Sequence, residues 1–256
     1  MTVSSPAERV LLDLGITEPG EIDLEAIAWH LGVRVKICDL DGCEARIIGH
    51  HDRAIIRVDR RASYRRRRFS IGHELGHWRH HRGKMLVCRP EDIGNRKPSA
   101  PRIEREADRY AADLLLPRYL FDPLARQHDR PTIKTVRELA DAFDVSLTAT
   151  AIRLVESRHS PAMLVCHGPA GRKWFTRSPD IPERWFPQNL LDPESFAFDL
   201  LFGQGEEERH PRLIGADAWF ERQEAQRYEL YEQSVRTAND EILTILLFTD
   251  GDMLDD

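Results

Sequence analysis

The chain has 256 residues, 41% hydrophobic and 31% charged, with a formal net charge of −6. This supports a buried core in one large domain or two to three small ones, and the negative balance argues against a protein dedicated to gripping nucleic-acid phosphates. The four cysteines form no CxxC pair, the N-terminus has no apolar signal segment, and no apolar run reaches the ~18–20 residues of a membrane span. The expectation is a cytoplasmic protein with no membrane partner.

Residues from about Pro6 to Leu14 have helical periodicity, and Pro19-Gly20 breaks it. Asp23 can cap a second helix, LEAIAWHLG, which stops at Gly32. The period then changes to two: VRVKICDL, EARIIGHH and AIIRVDRR read as a small strand meander with turns at Asp41-Gly42 and around His51-Asp52. A helix starts after an N-cap at Ser63 and ends at Gly83; CRPEDIGNRKPSAPR is aperiodic loop, and IEREADRYAADLLLP is a strong helix stopped by Pro117. Two helices follow, TIKTVRELADAF and LTATAIRLVESR, joined by a DVS turn. Past Ser160-Pro161 the pattern predicts strands at MLVCH and KWFTR, then an aromatic-rich stretch whose Trp174, Phe175, Trp185, Phe186, Trp219 and Phe220 are assigned to a core. Two final strands meet at Thr237–Asp240. The fold class is α+β. Residues 1–128 form the first domain, 129–159 a helix-turn-helix-like pair, and 160–256 a small α+β C-terminal domain.

The chemistry concentrates in RRRRFSIGHELGHWRHH, from Arg65 to His81. Four residues on a helix advance about 6 Å and turn about 40° past one full circle, so the imidazoles of His73 and His77 converge on one point and can hold one metal ion. Glu74 sits about 100° round the helix. From there it reaches the water that the metal activates and can take its proton. A catalytic site needs a third ligand and an open position. With His80 and Gly83 in place of the Gly and His of the metzincin pattern, that class is excluded. The alternative lies on the second helix: Glu104 and Asp108, four apart, share a face, so Glu104 can ligate while Asp108 accepts a hydrogen bond from a ligand histidine. Glu106 points elsewhere and reads as a solvated charge. His80 and His81 remain competitors as ligands and are placed at the rim.

With HELGHWRHH and EREADRYAADLLLP both present, the chain resembles the ImmA/IrrE family of metallo-endopeptidases, and DLEAIAWHLGVRV, DGCEARII, AIIRVDRRAS and RRRFSIGHELGH follow in that family's order. The resemblance covers residues 6–125 well, and the helix pair to about Arg158 in outline. It implies a gluzincin-like, zincin-type peptidase domain with an edge strand. The ligands would be His73, His77 and Glu104, the general base Glu74, and the substrate a helix-turn-helix repressor controlling stress-response or mobile-element genes. Position 108, often Asn in the family, is Asp here and remains a hydrogen-bond acceptor. The cofactor is expected to be one divalent ion, zinc first and manganese as the alternative. The candidate edge strand for an extended substrate is Ala54–Asp59. Tyr64, His80, His81 and Tyr110 are candidates for substrate or transition-state contacts.

Arg65–Arg68 spray around the helix, so they are expected to be solvated or paired with acids, with substrate docking as an alternative and nucleic acid as a weaker one. The rival functional reading is a DNA-binding regulator that uses residues 132–158, with Thr148, Thr150, Arg153 and Arg158 on its second helix. A third is a module that binds a repressor without cutting it.

Overall fold

The computed structural model describes residues 4–80, 101–237 and 240–255, and the backbone alone of 86–88. It is an α+β protein of two compact units, Met1–Phe121 with Ala140–Ser146, and Asp122–Leu139 with Leu147–Asp256. Among the described residues no helix is long and apolar enough to cross a membrane.

The first unit begins with α1 (Pro6–Asp13) and α2 (Leu24–His30). Ser5 and Glu8 form a capping box on α1, and Glu8 also accepts from the backbone N–H of Arg118 at 2.7 Å. The Asp23 carboxylate caps α2 through the N–H groups of Glu25 and Ala26 at 2.9 and 3.1 Å. Gly32 ends α2 at φ +77°, a conformation that favours glycine.

Strands β1 (Val33–Cys38), β2 (Ala45–His50), β3 (Arg53–Asp59) and β4 (Leu86–Cys88) form a sheet in the order β1-β3-β2-β4. This differs from a plain meander. β2 and β3 make the hairpin, and β1 pairs parallel with β3 instead of with its chain neighbour. The expected substrate-pairing strand Ala54–Asp59 is thereby corrected: β3 is hydrogen-bonded on both sides, and among the described residues the edges are β1 and β4.

α3 (Tyr64–His80) starts at Ser63, whose hydroxyl accepts from Arg66 N at 3.4 Å, and is buried from Ser70 to Trp78. Trp78 lies on Gly49 of β2, where any side chain would collide with its ring, and its indole N–H donates to Leu31 O at 3.1 Å. The stop expected at Gly83 and the loop expected from Cys88 lie outside the described residues, apart from the β4 backbone, Pro101 and Arg102, the first residue of α4 (Arg102–Leu115). α4 buries Ala107, Tyr110, Ala111, Leu114 and Leu115 along one stripe.

The stripe of α4 meets α3 at two glycines four residues apart. A Cβ on Gly72 would stand 3.2 Å from Ala111 Cα, and one on Gly76 only 2.8 Å from Ala107 Cα. The two backbones therefore approach more closely than side chains larger than hydrogen permit.

The arginine run is committed within this unit. Arg65 pairs with Asp141 at 2.5 Å and Arg66 with Glu44 at 2.6 Å. Arg67 donates to the carbonyls of Arg60 and Ala62, and the buried Arg68 donates to Ile22 O at 3.1 Å. Glu44 also accepts from the Ser70 hydroxyl.

α5 (Arg118–Ala125), which carries Pro123 inside it, was not resolved as an element by periodicity. The expected pair appears as α6 (Ile133–Phe143) and α7 (Leu147–Glu156), with Asp144 at φ +54° in the turn between them. Thr150 and Arg153 are buried on α7, a correction to their reading as exposed DNA-facing positions.

In the second unit β5 (Ala162–Gly168), β6 (Gly171–Arg177), β7 (Arg212–Gly215), β8 (Glu229–Arg236) and β9 (Ile242–Leu247) form an antiparallel sheet in the order β6-β5-β9-β8-β7. Trp185, Trp219 and Phe220 sit in its core beside α8 (Phe196–Phe202), whereas Phe186 is exposed, against the expectation. Burial raises the pKa of the Glu232 carboxyl. Trp219 Nε1–H, Ala197 N–H and the Ser234 hydroxyl satisfy its oxygens at 2.9, 2.6 and 3.2 Å.

Gly76→Ala gains about 1 kcal/mol of helix propensity but forces α4 off α3, and overpacking of this kind costs about 1–3 kcal/mol. The expected result is a net loss of thermal stability larger than that of Gly72→Ala, where the neighbour needs to give only a few tenths of an ångström. Thermal denaturation of the two variants side by side measures it.

Candidate metal centre

α3 and α4 run antiparallel across the glycine contact: Gly72 faces Ala111 and Gly76 faces Ala107. Antiparallel packing brings the first turn of α4 beside the last turns of α3. His73 and His77 project from one face of α3, with their Nε2 atoms 2.9 Å apart. Glu104 Oε2 of α4 lies 3.2 Å from His73 Nε2 and 3.4 Å from His77 Nε2. These three residues form a grouping able to hold a metal ion. Asp108, one turn further along α4, meets His73 Nδ1 at 2.8 Å. Both histidine side chains are fully buried, and Glu74 beside them is fully buried as well.

A divalent cation fits this donor set. With Nδ1–H donated to Asp108, the lone pair of neutral His73 resides on Nε2, which faces the Nε2 of His77 and a carboxylate oxygen. Three electron-rich atoms brought together in a buried place call for a cation. Their separations of 2.9, 3.2 and 3.4 Å are near the ~3.3 Å between ligand atoms of a tetrahedral zinc site.

Without metal, a proton does part of that work. Burial pulls the His73 imidazolium down, but the hydrogen bonds to Asp108 and Glu104 and the charges of Asp108 and Glu74 outweigh it, and its pKa rises to about 9. Burial likewise opposes the Glu104 carboxylate, yet its hydrogen bonds with His73 and His77 win and bring its pKa down to about 2.

The other expected site residues divide. Tyr64 stands at the first turn of α3, exposed, with the Arg68 guanidinium 5.8 Å from its ring. Nine helical residues separate it from His73, about 13–14 Å along the axis, so the structure does not bring it to the ligand cluster. His80 packs its ring edge-on to Tyr110, centroids 5.8 Å apart. Tyr110 is buried, and its hydroxyl has no hydrogen-bond partner among the described residues. Burial, only partly offset by Arg79, pushes its pKa up to about 12. His81 lies outside the described residues. Glu106 pairs with Arg102 at 2.7 Å, away from the cluster.

Gly72 and Gly76, which set how near Glu104 can come, were not among the expected site residues. Their signal was available as the Gly-x-x-x-Gly spacing interleaved with the histidines in GHELGH.

The folded-state pKa of His73 lies above its ordinary value of 6.5. Its contribution to metal-free stability is therefore complete below pH 6.5 and lost as the pH rises through about 9. The lowered pKa of Glu104 contributes above pH 4.5 and is lost as the pH falls through about 2; the two shifts share one interaction and count once. Because a metal needs the His73 lone pair, its binding between pH 6.5 and 9 is expected to release about one proton and to tighten as the pH rises. Calorimetric titration in buffers of different ionisation enthalpy counts the proton.

Residues 28–155 match the M78 peptidase family, described as the IrrE N-terminal-like domain, a span that holds both helices of the cluster. No curated protein matches the chain. Among solved structures it is similar in fold to a Mycobacterium tuberculosis transcriptional regulator, with a TM-score of 0.58 and 17% identity over 94% of this chain and 73% of that one. With half of its length matched, this chain belongs to the M78 peptidase family.

Proposed function

We propose that the chain is a metal-dependent endopeptidase that makes selective cuts in a protein substrate, and that the substrate is a helix-turn-helix repressor, as the family resemblance implies. The observation that carries this reading is the convergence of His73, His77 and Glu104 beside the buried carboxylate of Glu74. Residues 1–128 would form the catalytic part, 129–159 a docking element, and 160–256 a part with no chemistry assigned.

A divalent cation held by the three ligands, zinc in the first instance, would supply a Lewis acid that polarises a scissile carbonyl and acidifies water. Glu74 accepts the proton of that water on a carboxylate oxygen and returns it to the departing amine nitrogen. Asp108 holds His73 in the tautomer that presents Nε2. The depth of the cluster limits bulk water around it and strengthens each electrostatic interaction. An extended substrate would add to a sheet edge, β1 or β4, of which β4 follows α3 in the chain. The buried Tyr110 hydroxyl and the His80 ring against it are the candidates for transition-state contact. Burial of Thr150 and Arg153 removes side chains that the DNA-reading alternative needs.

Glu74→Gln is expected to retain the metal and lose about 10²–10⁴-fold in hydrolysis. A comparison of new protein N-termini in cells expressing the wild type and this variant, with and without DNA-damaging stress, tests the reading. Cuts present only with the wild type identify the substrate; identical N-termini from folded, metal-loaded proteins in both states would sink it. Asp108→Ala is expected to weaken metal affinity about 10–100-fold while leaving the three ligands in place, read by competition with a chromophoric chelator.

A further inference from the structure

The sheet of the first unit has one covered face and one open face. Gly49, under Trp78, shares its side with the buried Ala45, Ile47, Ala54, Ile56 and Val58, so α3 covers that face. The opposite side chains alternate with these. Register places Arg34, Ile55 and Ile48 in one row across β1, β3 and β2. Lys36, Arg57 and Arg46 form the next row, and Arg53 faces His50 on the other side of the isoleucines. An aliphatic pair, Ile48 at 48% and Ile55 at 38% exposure, is thus framed on three sides by cations.

Among the described residues no acid answers them. Asp59 continues the alternation of β3, but it is at the strand end, buried and held by Arg61 at 2.7 Å. Among the described residues the five cations of this face form no ion pair. Arg34 lies over the ring of Trp29, 5.2 Å from its centroid, and Trp29 is itself 65% exposed. Arg46 Nε is shielded from solvent and has no hydrogen-bond partner among the described residues. Like charges directly opposite on neighbouring strands destabilise a sheet, and Lys36, Arg57 and Arg46 place three in line. Carboxylates brought by a partner would remove that repulsion.

We propose that this open face of β1, β3 and β2 docks an acidic protein segment with aliphatic side chains, its carboxylates on the flanking cations and its apolar residues on Ile48 and Ile55. The aliphatic centre selects protein over nucleic acid. No Phe, Tyr or Trp projects from β1–β3 to stack a base, the ring at the margin, Trp29, is occupied by Arg34, and the chain is net negative. The inference stands apart from the peptidase reading, because α3 and its ligands are on the covered face.

The test uses the full-length, metal-free chain and three labelled probes followed by fluorescence anisotropy: a peptide of Glu-Leu-Glu repeats, an all-Glu peptide of equal length, and a single-stranded oligonucleotide of equal charge. The Glu-Leu-Glu peptide is expected to bind best, and to lose affinity as salt rises. In the Lys36→Gln, Arg53→Gln, Arg57→Gln triple variant its affinity is expected to fall about tenfold or more, while the melting temperature stays level or rises because the cation row is relieved. A role confined to holding the fold would lower the melting temperature instead. Ile48→Ser with Ile55→Ser is expected to weaken the Glu-Leu-Glu peptide and spare the all-Glu peptide. Tighter binding of the oligonucleotide, equal binding of the two peptides, no binding by the wild type, or undiminished binding by the triple variant would each overturn the proposal.

Discussion

Gly72 and Gly76 set how closely the two helices that carry the candidate ligands approach each other. Without Cβ atoms on that face, α3 lets Ala107 and Ala111 lie directly against its backbone. The positions between and beside the glycines carry His73, Glu74 and His77. The packing seam and the ligand set are thus written into the same turns, and neither can change without the other. On α4 the same economy holds: Ala107 and Ala111 make the seam, while Glu104 and Asp108 face the histidines. A helix in which half of each turn is committed to packing has little tolerance for substitution of the other half.

The cluster was legible because it depends on local geometry. A spacing of four residues fixes the direction of two side chains once the helix is assumed; α4 announces itself by its apolar period and α3 by its N-cap Ser63. What escaped depends on partners distant in sequence. Alternation says that VRVKIC and RAIIRVD are strands but not that they are parallel neighbours, which is why β3 was expected at an edge and is found between β1 and β2. Arg153 looked exposed because arginine commonly is, and Phe186 looked buried because phenylalanine commonly is; each is the reverse. Tyr64 precedes His73 by nine residues, which on a helix means distance along the axis.

Positive charge in this unit illustrates how poorly linear clustering predicts surface potential. The conspicuous run Arg65–Arg68 is spent on Asp141, Glu44 and backbone carbonyls. The cations of the open sheet face are spread over twenty-odd residues and three strands, and become a patch only when the register aligns them. Basic residues gathered in sequence are here largely internal fastenings, and those scattered in sequence form the exposed field.

α3 would be a poor helix by itself. It carries two glycines in its interior and four arginines in its first turns, where the helix dipole disfavours positive charge. Its helical state rests on the acceptors that hold those arginines and on the seam with α4. The helix therefore depends on the sheet, Glu44 and α4 for its helical state. Where those contacts are lost, His73, His77 and Glu104 lose the geometry that brings them together. For a proposed protease, this ties the capacity for hydrolysis to the finished fold.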